Sequence, residues 1–413
     1  MSTQKTTVES LTDLEPRGPG ENAQHTDADE MRREFGIPAY DRSRFDFPEV
    51  IPDALEHRWE RDGPIGVGGT DFLATGKPES GKSTLALYWS IRLLGVNDEA
   101  VVWRASESRS EWVPLAPWAK VCVPAGLDVD AKLKSKDPTK PTQEVELEDV
   151  AREVVRYDDV RDLNENVLEQ GTFHVVYPDP EFKGCQEAFE QSPKTYDLAF
   201  EQGDPPKHWW VAWMLDRVER GPYLWTSLMF DEVGDVIPQS ASKDEYDTFQ
   251  KVQLFRDTFV DARKYGVSVY AFGHSETDIH QMLRHKIRWR ISMNRMANPT
   301  SSGQVVGVEN VPMNTDMTSH MRIGRALMWT ETRFDPSLAW SDIPAPTDEI
   351  LEVSLSSREG GPGDVEDAQA ELDEVDRDAG DGGDAVDGDA EKTAKPAGGP
   401  DESDETPGVE VER

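Results

Sequence analysis

Eight consecutive residues constrain this chain more than any other feature: Gly76-Lys77-Pro78-Glu79-Ser80-Gly81-Lys82-Ser83. They fit G-x-x-x-x-G-K-[ST], the Walker A pattern, at every fixed position, and that pattern has meaning only between a strand and a helix. Both flanks are present. Asp71–Thr75 is a short apolar run that reads as a strand, and Leu85, Leu87, Trp89, Ile91 and Leu94 recur through Lys82–Leu94 as on a helix. The glycines let the backbone curl until successive N–H groups face one anion, and the helix that follows adds its positive end. Lys82 then reaches the β- and γ-phosphates of a nucleotide, and Ser83 offers its hydroxyl to Mg²⁺. Gly76 through Thr84 are the nucleotide-binding candidates, with ATP and Mg²⁺ as the implied cofactors, and Lys82 is also a catalytic candidate.

The rest of the body continues the alternation of strand and helix. Ala100–Trp103, Lys120–Pro124, Thr172–Tyr177, Tyr223–Phe230, Val267–Phe272 and Arg288–Met293 read as strands. Trp209–Val218, Asp244–Tyr265 and Glu276–Lys286 read as helices, and Gly324–Phe334 as an edge strand or hairpin. Continuous apolar strands separated by helices predict an α/β fold with a mostly parallel sheet covered on both faces. With the phosphate loop, that is a P-loop NTPase domain of the RecA-like type.

Two further strand ends carry candidate chemistry. The run Leu224–Phe230 stops at Asp231-Glu232, the Walker B arrangement. In a P-loop enzyme an acidic residue at the end of a neighbouring parallel strand holds the Mg²⁺ shell, and a second beside it activates the attacking water. Asp231 is therefore the metal candidate with Ser83, and Glu232 the general base. The strand Val267–Phe272 ends in Gly273-His274-Ser275. His274 or Ser275 there would face the crevice between the two motifs, and His274 is taken as the catalytic candidate. Ser275 equally suits the cap of the helix that follows.

A third signal is positive charge. Arg284, Lys286, Arg288, Arg290 and Arg295 fall within twelve residues that contain no acid. Such a cluster suits an arginine finger reaching a neighbouring subunit's phosphate, or contacts to DNA phosphates. The competing reading is a set of intramolecular partners for an acidic surface. Arg104 and Arg109 form a second, smaller group beyond Ala100–Trp103.

The acidity is pronounced. The 413 residues hold 81 Asp and Glu against 44 Lys and Arg, a net charge of −37. Residues 1–357 alone carry 61 acidic against 39 basic side chains, a net of −22. Such a body repels itself unless salt screens it, which points to a halophilic source with a salt-rich cytoplasm. Two cysteines, Cys122 and Cys185, are too few for a disulfide framework or a cysteine-based zinc site. No apolar run approaches a membrane span, and the polar N-terminus lacks the features of a signal peptide, so a cytoplasmic location is expected. The expected organisation has four parts. Residues 1–35 are a disordered acidic N-terminus and 36–59 a lead-in segment. Residues 60–345 are the ATPase domain, with an insertion around 126–170. Residues 356–413 form a disordered acidic tail without aromatics.

These motifs together resemble the FtsK/HerA superfamily of P-loop ATPases, which move DNA as rings. ATGKPESGKST resembles its phosphate loop, LMFDE its strand-end acidic pair and VSVYAFGHS its sensor strand. ETDIHQMLRHKIRWRISM resembles its post-sensor segment, in which Arg290 matches the family's arginine. The family usually carries Gln at the sensor position, where this chain has His274-Ser275. The resemblance is greatest to predicted DNA-translocating ATPases of haloarchaeal viruses and plasmids. It implies ATP hydrolysis driving DNA translocation, in viral genome packaging or plasmid transfer, by a homo-oligomeric ring such as a hexamer with DNA as partner. Two other readings accompany it: a RecA/KaiC-type ATPase, which GPIGVGGTDFLATGKPESGKSTLAL also resembles, and a Zot-like assembly protein that uses ATP as a switch.

Overall fold

Strand registers level three chain segments along one edge of a ten-stranded sheet, and that edge is where the sequence motifs meet. The computed structural model describes residues 10–14, 23–45, 50–59, 66–68, 71–297, 306–307 and 318–357. Helices α1 (Ala23–Glu34) and α2 (Val50–Leu55) precede an antiparallel ribbon of β1 (His57–Trp59) and β2 (Gly66–Gly68). Next come β3 (Phe72–Thr75), α3 (Lys82–Asn97), β4 (Ala100–Arg104) and β5 (Ala119–Pro124). β6 (Leu127–Ser135) and β7 (Gln143–Val145) stand apart, and β8 (Glu153–Tyr157) returns to the main sheet. The short α4 (Val160–Asp162), β9 (Phe173–Val176), α5 (Cys185–Glu190) and α6 (Trp209–Arg220) follow. The chain continues through β10 (Thr226–Phe230), α7 (Val233–Val236), α8 (Thr248–Ala262) and β11 (Val267–Gly273). It then forms α9 (Gln281–Arg284), β12 (Trp289–Met293), the hairpin β13 (Arg325–Trp329) and β14 (Phe334–Ala339), and β15 (Glu349–Ser357).

The main sheet has the order β14-β13-β12-β3-β11-β10-β4-β9-β5-β8. Eight strands, from β12 to β8, run parallel, and β13 and β14 extend that sheet antiparallel. The parallel strands are buried end to end at the centre: β3, β10, β11 and β12 expose no residue. This is why they read as mainly apolar runs, broken by a few buried polar residues such as Ser227 and Arg290. α3 packs on one face with α1 and α2, and α6 and α8 cover the other. α6 is apolar around most of its circumference. Trp209, Trp210, Trp213, Met214 and Leu215 are all buried, because the helix lies beneath the sheet with α5 and α8 packed against it. Among the described residues no helix is long and apolar enough to cross a membrane.

Several boundaries differ from expectation. Part of the segment expected to be a disordered N-terminus is α1, with Ala28 and Met31 buried and Asp27 in an ion pair with Arg152. The helix is polar along most of its length, so its apolar face is too narrow to stand out in composition. Residues 126–170 are not a detached insertion. β8 is an edge strand of the main sheet, and β6 joins β7 and β15 in a separate antiparallel sheet. The folded body accordingly passes residue 345 and includes Ser356 and Ser357 in β15. The rest of the expected acidic tail, residues 358–413, lies outside the described residues.

Candidate functional site

The register of β3, β11 and β10 determines which side chains share the sheet's C-terminal edge. Thr75 of β3 lies beside Gly273 of β11, and Ala271 of β11 beside Phe230 of β10. The residues immediately beyond these strands, Gly76, His274 and Asp231, therefore emerge together. This is the crevice at the carboxyl ends of parallel strands in which open α/β sheets bind ligands.

Gly76–Gly81 forms the loop. A Cβ on Gly76 would lie 2.3 Å from Ser80 Oγ and 2.9 Å from Met293 Sδ, so only glycine fits there. Gly81 sits at φ +90°, in the left-handed region, as the N-cap of α3. No side chain caps this helix, and its first hydrogen bond runs from Leu85 N–H to Gly81 O. The N–H groups of Lys82, Ser83 and Thr84 thus precede the helical ladder at its positive end. Lys77, Pro78 and Glu79 are exposed on the loop's outer side, and Ser80 is buried against Met293.

Three side chains meet beside the loop, in the crevice between β3, β11 and β10. Lys82 Nζ donates to Gly76 O (3.0 Å) and lies 3.1 Å from His274 Nδ1, which is itself 3.3 Å from Gly76 O. His274 Nε2 donates to Glu232 Oε1 (3.1 Å). The imidazole therefore spans the phosphate-loop lysine and the candidate base. It is 48% exposed, open to the crevice. Lys82 is 8% exposed, and burial holds its pKa below the ordinary lysine value while Glu232 and Asp231 pull it back up. Glu232 takes a left-handed backbone conformation, φ +50°, at the start of α7. That is a strained state for a side chain-bearing residue, of the kind that clusters at working sites.

Asp231 is buried, and burial raises its pKa against the opposing effects of Arg109 and Lys82. Arg109 Nη1 lies 3.9 Å from both Asp231 and Glu232, and Arg109 Nη2 lies 3.4 Å from Asp235. Arg104 donates to Asp231 O (2.9 Å). Glu111 completes the surroundings; burial, then Asp231, raises its pKa. Arg104, the last residue of β4, and Arg109 beyond it thus lie beside the acidic pair because β4 is the neighbour of β10. The sequence marked them only as a secondary group, since their distance from Asp231 along the chain hides that adjacency. Met293, Asp235 and Glu111 carried no sequence signal of their own.

The donor set suits a cation that is mostly ligated by its nucleotide. Among the described residues no three His, Cys, Asp or Glu side chains cluster as a metal site. Asp231 and Ser83 are one carboxylate and one hydroxyl, which matches Mg²⁺ that keeps waters and phosphate oxygens as its other ligands.

Arg290 does not enter this site. It is 2% exposed, and its guanidinium is occupied by Glu276 Oε1 (2.7 Å), Ile287 O (2.5 Å) and Arg284 O. The residue expected as a trans-acting finger is thus placed inside the fold, with its guanidinium held by its own chain. Arg284 is likewise buried, on Glu276 O. Lys286, Arg288 and Arg295 remain exposed, without an ion-pair partner among the described residues. Ser275 caps the turn at Glu276 by accepting from Thr277 N–H, which leaves His274 as the residue of that pair facing the loop.

No protein-family model matches the sequence, and no curated protein sequence matches it. Among solved structures, the chain is similar to the genome packaging NTPase B204 of Sulfolobus turreted icosahedral virus 2. Identity there is 12% and the TM-score 0.34, over 64% of this chain and 94% of that one. It is also similar to the pCW3 conjugation coupling protein TcpA, at 12% identity and a TM-score of 0.33, over 73% and 69% of the two chains. A third likeness is to the N-terminal domain of zonular occludens toxin from Neisseria meningitidis, at 15% identity and a TM-score of 0.24, over 66% and 92%.

Proposed function

We propose that this protein is an Mg-ATP-hydrolysing motor of the FtsK/HerA type, assembled as a ring, that moves DNA in viral genome packaging or plasmid transfer within a salt-rich cytoplasm. The observation that carries the reading is the chain of contacts Lys82–His274–Glu232 across the mouth of an uncapped helix. It joins a phosphate-loop cation, a polar strand-end residue and a carboxylate base, at the place where a γ-phosphate would lie.

The residues divide the chemistry. Lys82 and the first N–H groups of α3 bind the β- and γ-phosphates. Glu232 accepts a proton from water as that water adds to the γ-phosphorus, and the bond to the β–γ bridging oxygen breaks to leave ADP. His274, hydrogen-bonded to Glu232, holds the carboxylate in line. Arg109 offsets negative charge beside the acidic pair. A bound Mg²⁺, held by Ser83 and Asp231, would supply charge neutralisation at the phosphate oxygens.

A polyanionic partner is supported at the opposite end of the sheet. β12 runs parallel to β3, so the residues at its start lie far from the loop. There a groove of about 430 Å³ is bordered by His285, Lys286, Arg288, Glu331 and Arg333, with Asp53 paired to Arg333 (3.1 Å) and Asp71 accepting from Arg288 N–H (2.6 Å). Lys286 and Arg288 stay exposed there without an ion-pair partner among the described residues, cations of the kind that phosphate backbones seek.

The test is ATPase turnover in molar KCl with and without duplex DNA. Wild type should turn over faster with DNA. Lys82→Ala should lose turnover and keep its circular dichroism. Glu232→Gln should bind ATP and fail to hydrolyse it, whereas Asp231→Asn should weaken Mg-ATP binding. ATP binding without turnover in the wild type would replace the motor by an ATP-operated assembly switch.

A further inference from the structure

The site described so far accounts for the phosphates and leaves the nucleoside unplaced, but the strand order says where it must go. Asp231, Glu232 and His274 follow β10 and β11, which lie on one side of β3. They mark the γ-phosphate end. A nucleotide crossing the start of α3 from that end leaves the loop on the other side of β3, over β12, β13 and β14.

What waits there is apolar. Ile323 is 58% exposed, the most exposed large hydrophobic side chain among the described residues. Its Cγ2 lies 3.5 Å from where a Cβ on Gly81 would stand, and Trp340 Cζ2 is equally close. Trp340 is 8% exposed. The turn that presents Ile323 is held firmly. Arg325 N–H donates to Arg322 O (3.2 Å), and Trp340 N–H donates to Gly324 O (3.1 Å). Gly324 itself sits at φ +83°, with Trp340 O 3.2 Å from a Cβ there. Arg322, next to Ile323, is exposed and has no ion-pair partner among the described residues. A water-exposed isoleucine fixed beside the helix cap of a phosphate loop gains stability when a flat apolar ligand covers it.

We propose that Ile323, backed by Trp340, is the seat of the nucleobase. The base of the bound nucleoside triphosphate lies on the Ile323 side chain, and the phosphates run from there along the start of α3 to Glu232. The inference rests on the nucleotide reading of the loop and adds the residues that recognise the nucleoside. Because the contact is apolar area, it responds to the size of the aromatic surface more than to hydrogen-bonding edges.

The experiment compares two ligands on the full chain in molar KCl: ATP, and inorganic tripolyphosphate, which has the phosphates without the nucleoside. By titration calorimetry, Ile323→Ser should weaken ATP about tenfold, the scale expected for losing one aliphatic contact. It should leave tripolyphosphate unchanged. Ile323→Leu, which keeps the apolar surface, should retain ATP affinity. Unchanged ATP affinity in Ile323→Ser, or equal weakening of both ligands, would overturn the base seat while the phosphate loop stands. Failure of wild type to bind either ligand would overturn the nucleotide reading, and the base seat with it.

Discussion

Arg290 shows how a residue's surroundings decide its task. In the sequence it stands in a basic run and matches a finger position; in the structure it ties β12 to the segment before α9. Breaking a buried pair by removing one partner costs about 3–5 kcal/mol, because the remaining charge stays desolvated. Glu276 is that remaining charge, and it is buried. Arg290→Ala should therefore lower unfolding stability by about that amount in urea titration. Arg290→Lys, which keeps a cation beside Glu276, should retain turnover. Mixing Arg290→Ala with Lys82→Ala subunits should restore no activity. Recovery on mixing would return Arg290 to the trans role. The positive charge close to Glu232 is instead supplied in cis, by Arg109.

At the scale of elements, β9 carries a measurable consequence of burial. His174 lies at its centre, wholly buried, and accepts from Glu169 N–H through Nε2 (3.1 Å). Burial first, then Lys120, depresses its pKa from 6.5 to about 3. The folded protein thus keeps His174 neutral where the unfolded chain takes up a proton. The unfolded state binds more protons below pH 6.5, so stability falls as pH drops from about 6.5 toward 3. Between pH 7 and 5 this amounts to about 2 kcal/mol. His174→Gln keeps an acceptor for Glu169 and removes the titration. Its urea midpoint should vary less between pH 7 and 5 than that of wild type. An equal pH dependence in both would show that His174 is already protonated in the fold or remains neutral in the unfolded chain.

At the scale of the whole molecule, charge governs the conditions under which the fold persists. Residues 1–357 carry a net of −22. At ~1 M salt the screening length is ~3 Å, and at ~0.1 M it reaches ~10 Å, long enough for neighbouring carboxylates to repel across the surface. Thermal stability followed by circular dichroism should fall steeply as KCl is reduced over that range. A melting temperature independent of KCl would remove the halophilic reading. The same screening would weaken the proposed DNA contacts at the Lys286–Arg288 groove, so DNA stimulation of turnover should itself decline as KCl rises.

By itself the sequence located the candidate residues. Gly76–Thr84, Asp231, Glu232 and His274 each stand at the end of an apolar run, and such runs are legible because a doubly covered parallel strand is built mainly of apolar residues. It also determined α3, α6, α8 and the central strands, whose periodicity is set by burial of a face that spans the whole element. Tertiary structure decided what depends on distant partners. β6 alternates Leu127, Val129, Ala131 and Leu133 with charged residues, a strand pattern masked by its lysines, and its partner β15 lies more than two hundred residues away. α1 is stabilised by what it packs on rather than by its own apolar content. Only the strand order β3-β11-β10-β4 brings Arg104 and Arg109 to the acidic pair, and only the buried carboxylate of Glu276 draws Arg290 inward. A charged side chain's role depends on which opposite charge shares its low-dielectric surroundings, and sequence proximity does not specify that neighbour.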